Sequence, residues 1–329
     1  MTMPIIPHEQ LSEKNHFPIV GQLVVLTLIL GITFGSLWWF SPTRGELAND
    51  PTRRPTVNLS DVAPEDTTST IEEVSLRATA AYVWDVRAQR ALYKKNESET
   101  LPLASITKLM TAMVTHELLS SQTDVSLPLT AIRQEGASGL VAGETLSIAE
   151  LNQLALVSSS NDAAFALANA AGALLGDNDP AQQFVAAMNI RADELELDSL
   201  AFLNTTGLDM NTSTPGAVGS AKDVSFLLEH IIEKYPQIIS ITQEDSTRVY
   251  NSNGIYHDAA NTNAIAGRIP NLLASKTGYT DLAGGNLTVA FDLGLNRPII
   301  ITVLGSTRDA RFTDVLTLID TVQSSIVTE

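Results

Sequence analysis

Residues 102–118 read PLASITKLMTAMVTHEL, and the rest of the chain is best read outward from them. Ile106, Leu109, Met110, Met113, Val114 and Leu118 recur at helical spacing, with Pro102 just ahead, so the pattern predicts a buried central helix. One residue is out of place in that core. Lys108 is the only charge between Glu99 and Glu117, and it stands between Ile106 and Leu109. Ser105 lies three positions earlier, and on a helix residues three apart share a face, so hydroxyl and amine converge. A serine near a helix N-terminus also has backbone N–H groups at hand for developing negative charge. An alcohol is a poor nucleophile until a base takes its proton, and a lysine serves when burial or nearby positive charge lowers its pKa. By itself S-x-x-K is as readily a serine cap followed by an ordinary lysine. Its apolar setting tips the balance toward chemistry.

Upstream, ATAAYVWDV (78–86) and ALYKKN (91–96) read as a hairpin across a polar turn. Downstream, helices are expected near Ser147–Val157, Asp162–Leu175, Pro180–Glu194 and Ala221–Glu233, then strands at Thr247–Tyr250, Leu272–Lys276, Gly285–Leu293 and Pro298–Leu304. A final helix near Asp309–Val322 carries Phe312, Val315, Leu316 and Ile319 on one face. Strands at both ends of this region with helices between them point to an α+β fold: one sheet completed from both ends, with a helical insert.

Two further clusters carry possible chemistry. Ser159-Ser160-Asn161 sits where one helix ends and the next begins, so a hydroxyl and an amide two residues apart can face a cleft. Ser and Asn are also favoured helix caps, which is the plainer reading of that triplet alone. Lys276-Thr277-Gly278 closes an apolar run. On an edge strand, Lys and Thr can meet a carboxylate while Gly allows a ligand close to the backbone. Alone, it reads equally as a strand passing into a turn.

Together and in this order, S-x-x-K, S-x-N and K-T-G resemble the signature of penicillin-binding proteins and serine β-lactamases. The stretches 82–112 (YVWDVRAQRALYKKNESETLPLASITKLMTA), 156–168 (LVSSSNDAAFALA), 203–209 (LNTTGLD) and 276–287 (KTGYTDLAGGNL) are similar to the low-molecular-mass D-alanyl-D-alanine carboxypeptidases. The resemblance runs from about Val74 to the C-terminus. It implies a β-lactamase/transpeptidase-like fold, with an antiparallel sheet flanked by helices and a mainly helical subdomain. It implies Ser105 as the acylated nucleophile, Lys108 as its general base, and Ser159 as the proton shuttle to the leaving group. Asn161 would bind the substrate backbone, and Lys276, Thr277 and Gly278 would line the site for the terminal carboxylate. The oxyanion hole would be the backbone N–H groups of Ser105 and Tyr279. Partners implied are peptidoglycan stem peptides ending in D-Ala-D-Ala, with β-lactams as covalent inhibitors, and no cofactor. One departure is Ser160, where these carboxypeptidases commonly have Gly. Another is that only about fifty residues follow K-T-G, so neither a further β-rich domain nor a C-terminal amphipathic anchor is expected.

The N-terminal part reads differently. After a flank at 1–16, residues 17–40 (FPIVGQLVVLTLILGITFGSLWWF) carry no charge over a length that spans a bilayer, with Trp38 and Trp39 suited to the interface. A cleaved signal peptide is the weaker reading, since the run is long and no A-x-A site follows. Residues 41–73, with Pro42, Pro51, Pro55 and Pro64, read as a flexible linker to a catalytic domain at 74–329. Lys14 stands with Glu9 and Glu13 on one flank, while Arg44, Arg53 and Arg54 lie on the other, so the charge rule alone would put the head in the cytoplasm. The substrate implied by the resemblance puts it outside, on a single-pass anchor in the cell membrane.

The remaining composition narrows the field. With 37 acidic and 20 basic residues and a net charge of −17, no nucleic-acid partner is expected. The five histidines show no ligand spacing and there is no cysteine, so no metal is expected. Among rivals, a serine β-lactamase would need a deacylating glutamate, for which the segment after Asn161 offers no counterpart. A D,D-endopeptidase shares the motifs, and an inactive wall-binding module would not need all six side chains.

Overall fold

The computed structural model describes residues 74–136, 138–176 and 178–326. The expectations for 1–16, 17–40 and 41–73 lie outside them. No helix among the described residues is long and apolar enough to cross a membrane.

In chain order the elements are β1 (Ala80–Asp85), β2 (Arg90–Lys95), β3 (Leu101–Pro102), α1 (Lys108–Leu118), β4 (Asp124–Ser126), β5 (Thr145–Ser147), α2 (Ile148–Val157) and α3 (Asn161–Gly172). There follow α4 (Pro180–Glu194), β6 (Ala201–Phe202), β7 (Ala217–Gly219), α5 (Ala221–Lys234), α6 (Pro236–Ile239), β8 (Ser246–Tyr250), β9 (Tyr256–Ala260), β10 (Leu272–Thr280), β11 (Gly284–Asp292), β12 (Pro298–Ser306) and α7 (Ala310–Ile326).

The expected α+β architecture is present. Five antiparallel strands run in the order β10-β11-β12-β1-β2, so the chain's early hairpin joins its late strands, with Ala80 opposite Leu304. Both faces of this sheet are covered, which is why β11 and β12 read as nearly unbroken apolar runs. Along β1, Ala80, Tyr82 and Trp84 enter one core while Ala81 and Val83 enter the other. The first core takes Leu109, Met110 and Met113 of α1 and Val224, Leu228 and Ile231 of α5. The second takes Val315, Leu318, Ile319 and Val322 of α7, all essentially inaccessible. Each such side chain contributes roughly 1.5–3 kcal/mol by leaving water. A third core joins α2 and α3 to the β8–β9 hairpin through Leu151, Leu154, Ala163, Leu167, Val249 and Ala259.

Boundaries differ from expectation where side chains intervene. α2 starts at Ile148 because Ser147 caps it in a reciprocal capping box with Glu150. α3 ends at Gly172 rather than Leu175, which lies in a turn. The central α-helix starts only at Lys108, after a 3₁₀ turn over Ala104–Thr107. β10 does not stop at Lys276 but pairs with β11 through Thr280 opposite Gly284, carrying K-T-G inside an edge strand. β9 gives little signal in the sequence, because only Ala259 of YHDAA is buried.

Candidate active site

Ser105 lies on the 3₁₀ turn, where residues i and i+3 eclipse, and this sets its side chain against that of Lys108. The turn is under backbone strain, since Ala104 has φ +50°, a region that non-glycine residues seldom occupy. Its surroundings fix it there. The buried Asn286 of β11 donates through Nδ2 to the carbonyls of Pro102 (2.9 Å) and Leu103 (3.0 Å) and accepts from Gly305 N–H (2.8 Å). Gly278 of β10 packs so closely that a Cβ there would stand 2.7 Å from the Leu103 carbonyl oxygen. The glycine of K-T-G therefore makes room for the Ser105 turn.

Lys108 is fully buried, and its Nζ lies 2.7 Å from Ser105 Oγ, 2.7 Å from Asn161 Oδ1 and 2.8 Å from the carbonyl oxygen of Thr206. Burial pushes its amine well below the ordinary lysine range, and the positive charge of Lys276 adds to the effect. Asn161 opens α3 and its Nδ2 donates to the Glu135 carbonyl at 2.6 Å, which leaves one amide hydrogen uncommitted among the described contacts. Ser159 sits between α2 and α3 with φ +61°, half-buried, and its Oγ accepts from Lys276 Nζ at 2.9 Å. Ser160 needs no glycine-like conformation, for it has φ −56° and caps α3 by accepting from Ala163 N–H at 3.1 Å.

Lys276 is buried to within 1% and also donates to the Thr277 carbonyl at 3.0 Å. Burial, and then the charge of Arg311, push its pKa down to about 7. Thr277 Oγ1 shares a 2.6 Å hydrogen bond with Thr262 Oγ1. Among the described residues, neither lysine has a carboxylate within 4 Å. Tyr279 is 43% exposed, and beside it a cleft of ≈ 440 Å³ runs between residues 208–212 and 279–282, with Glu135 on its wall.

Thus the three motifs, far apart in the chain, converge on two linked amines and two hydroxyls. The Ser105–Lys108 pair can activate a nucleophile, and the Ser159–Lys276 pair can move a proton or meet an anion. Four participants carried no assigned role in the sequence reading: the Thr206 carbonyl, Thr262, Asn286 and Arg311. Only the first had a signal. In N-T-T-G the Asn204 side chain accepts from Thr206 N–H (3.1 Å) and Gly207 N–H (2.7 Å), a turn that N-x-x-G anticipates. Thr262, Asn286 and Arg311 act across sequence distance that no local pattern encodes.

Comparison with known proteins gives a consistent picture. The peptidase S11 family model, described as D-alanyl-D-alanine carboxypeptidase, matches residues 66–308. The D-alanyl-D-alanine carboxypeptidase DacF of Bacillus subtilis is 28% identical over 256 residues, which are 75% of this chain and 62% of that protein. The chain therefore spans less than two thirds of DacF. A D-alanyl-D-alanine endopeptidase of Pseudomonas aeruginosa is 31% identical over 238 residues, 70% of this chain and 71% of that protein. Among solved structures, penicillin-binding protein D2 from Listeria monocytogenes in its ampicillin-bound form aligns with a TM-score of 0.62 at 28% identity, over 76% of this chain and 98% of that one.

Proposed function

The chain belongs to the D-alanyl-D-alanine carboxypeptidase family, and we propose that it is a serine-type carboxypeptidase removing the terminal D-alanine from peptidoglycan stem peptides. The observation that carries the reading is the buried Lys108 amine, 2.7 Å from Ser105 Oγ with no carboxylate beside it among the described residues. A neutral amine has two N–H donors and one lone pair. The donors match Asn161 Oδ1 and the Thr206 carbonyl, and the lone pair is left for the Ser105 hydroxyl proton.

The cycle then balances. Ser105 Oγ passes its proton to Lys108 Nζ and bonds to the carbonyl carbon of the penultimate D-alanine. The oxyanion is received by the N–H groups of Ser105 and Tyr279. On collapse the C–N bond breaks, the proton taken by Lys108 reaches the leaving amine through Ser159, and D-alanine departs with Ser105 esterified and Lys108 neutral again. Lys276 and Thr277 hold the terminal carboxylate, and the free amide hydrogen of Asn161 meets the substrate backbone. Water attacks the ester, gives up a proton to Lys108, and returns the hydroxyl to Ser105. A β-lactam offers a similar amide and carboxylate, so it acylates the same oxygen and stays attached.

Residues 17–40 are proposed as a membrane anchor and 41–73 as its tether, with the catalytic domain at 74–329 on the extracytoplasmic side, where the substrate is. Protease added to spheroplasts should then digest the head; protection of the head beside a digested external control rejects that topology. A D,D-endopeptidase is the second reading, favoured by the Pseudomonas relative, of whose length the chain covers the larger share. Incubation with a pentapeptide ending in D-Ala-D-Ala and with crosslinked dimers separates them: free D-alanine supports the first and cleaved dimers the second. Neither product, without a penicillin adduct, rejects both.

A further inference from the structure

Arg311 is a costly residue to keep where it is. It is 7% exposed, and among the described residues it has no ion pair and its Nε–H has no hydrogen-bond partner. Burying a cation without a counter-charge is unfavourable, so such a group needs a reason. Its Nη1 donates to one atom, the Gly278 carbonyl oxygen, at 2.7 Å. The reach is made possible by Gly285 of β11, where a Cβ would stand 2.1 Å from the Thr307 carbonyl oxygen; without one, the segment leading into α7 folds against β11 toward β10.

In a trans peptide the C=O and the following N–H point in opposite directions within one plane. The described residues contain no cis peptide. A donor gripping the Gly278 carbonyl therefore sets the direction of the Tyr279 N–H on the far side of the same plane. The charge also polarises the peptide and strengthens that N–H as a donor. The other half of the site repeats the arrangement. The buried Thr107 hydroxyl donates to the Ala104 carbonyl at 2.7 Å, and the N–H of that peptide belongs to Ser105.

We infer that Arg311 and Thr107 are positioning residues that hold, from behind, the two peptide planes whose N–H groups form the oxyanion hole. The inference rests on the reading of Ser105 and Tyr279 as oxyanion donors. It explains why a buried guanidinium, stacked over the Phe312 ring at 4.7 Å, is also aimed at the Gly278 carbonyl, and why the residue after Ile106 is a threonine rather than another apolar side chain.

The test is infrared difference spectroscopy of the acyl-enzyme formed with benzylpenicillin, alongside the acylation rate, for Arg311→Met, Arg311→Lys and Thr107→Val. Hydrogen bonds from the oxyanion hole lower the stretching frequency of the ester carbonyl. Arg311→Met should move that band to higher wavenumber and slow acylation about tenfold, a fraction of the 10²–10³ that follows loss of a whole oxyanion donor. Arg311→Lys, which keeps a charged donor, should restore part of both. Thr107→Val should shift the band by itself. A slower reaction with an unmoved band marks a purely structural role and overturns the inference, as does an unchanged rate. If Arg311→Met does not fold, Thr107→Val and the partial shift in Arg311→Lys decide the matter by the same readout. Absence of any adduct on the unaltered protein would instead remove the proposed function, and this inference with it.

Discussion

Two of the places where the described residues bury charge treat it in opposite ways. At the end of β1, Asp85 is wholly inaccessible and takes Arg297 Nη2 at 2.6 Å, Arg297 Nε at 2.8 Å and Ala88 N–H at 2.9 Å. Both carboxylate oxygens accept from donors, and the guanidinium cancels the charge. In the candidate site, Lys108 and Lys276 are as deeply buried, but their nearest groups are hydroxyls, an amide and carbonyls, and each lysine is pressed by another cation. A compensated charge fixes geometry. An uncompensated one stores a tendency to lose its proton, and that tendency is what a serine nucleophile needs.

The contrast breaks first at the nucleophile. Ser105→Ala should abolish covalent labelling by penicillin, seen as no mass increase on the intact protein, while the melting temperature holds. An adduct surviving on that variant would place the reactive oxygen elsewhere.

The next pair of variants separates the two kinds of buried charge. Lys108→Met should slow acylation about 10²- to 10⁴-fold, the usual worth of general-base assistance. It should not lower the melting temperature, since a similar volume returns without a charge. Arg297→Met should do the reverse. It leaves Asp85 buried and unpaired, which costs about 3–5 kcal/mol in chemical denaturation, while the acylation rate of the folded protein stays unchanged. If both variants lose stability alike, the distinction is wrong.

The pH profile sharpens it further. For kcat/KM, the acid limb should follow protonation of Lys108, and the alkaline limb should begin near pH 7, where Lys276 in the free enzyme loses the charge that receives the carboxylate. The stability profile has a definite sign. The folded pKa of Lys276, about 7, lies below the unfolded lysine value of about 10.4, so between them the unfolded chain binds more protons. Stability should therefore rise with pH across that window, and Lys276→Met should flatten the rise in thermal melts followed from pH 7 to 10. The smallest effect belongs to Ser160. Replacement by Ala should cost about 1 kcal/mol, and replacement by Gly only a few tenths, as expected for a helix cap read by urea denaturation.

Much of the fold was legible because it is written in period. The 3.6-residue recurrence around Lys108 leads directly to a buried helix, and strands at both ends of the region with helices between them lead to one sheet completed from both ends. The motifs were legible only as a set, since each alone reads as an ordinary helix cap or turn. What escaped was non-local or conformational. The 3₁₀ turn at Ala104–Thr107 depends on contacts from β10 and β11, not on its own composition. Arg311 looks like any charge at the start of a surface helix until the strand it touches, 33 residues earlier, is in place.

The pairing of β1 with β12 also bears on the order of synthesis. β12 leaves the ribosome after every other strand, yet it is β12 that lies between the early hairpin and the strand carrying K-T-G. Long-range closure of this kind is slow, because loop entropy must be met before the contacts reward it. The turn that carries Ser105 and Lys108 is held by β10 and β11, so it is fixed only when those strands join the early hairpin through β12. Assembly of the candidate site is thus tied to closure of the sheet, and its separate motifs come together in one cooperative step.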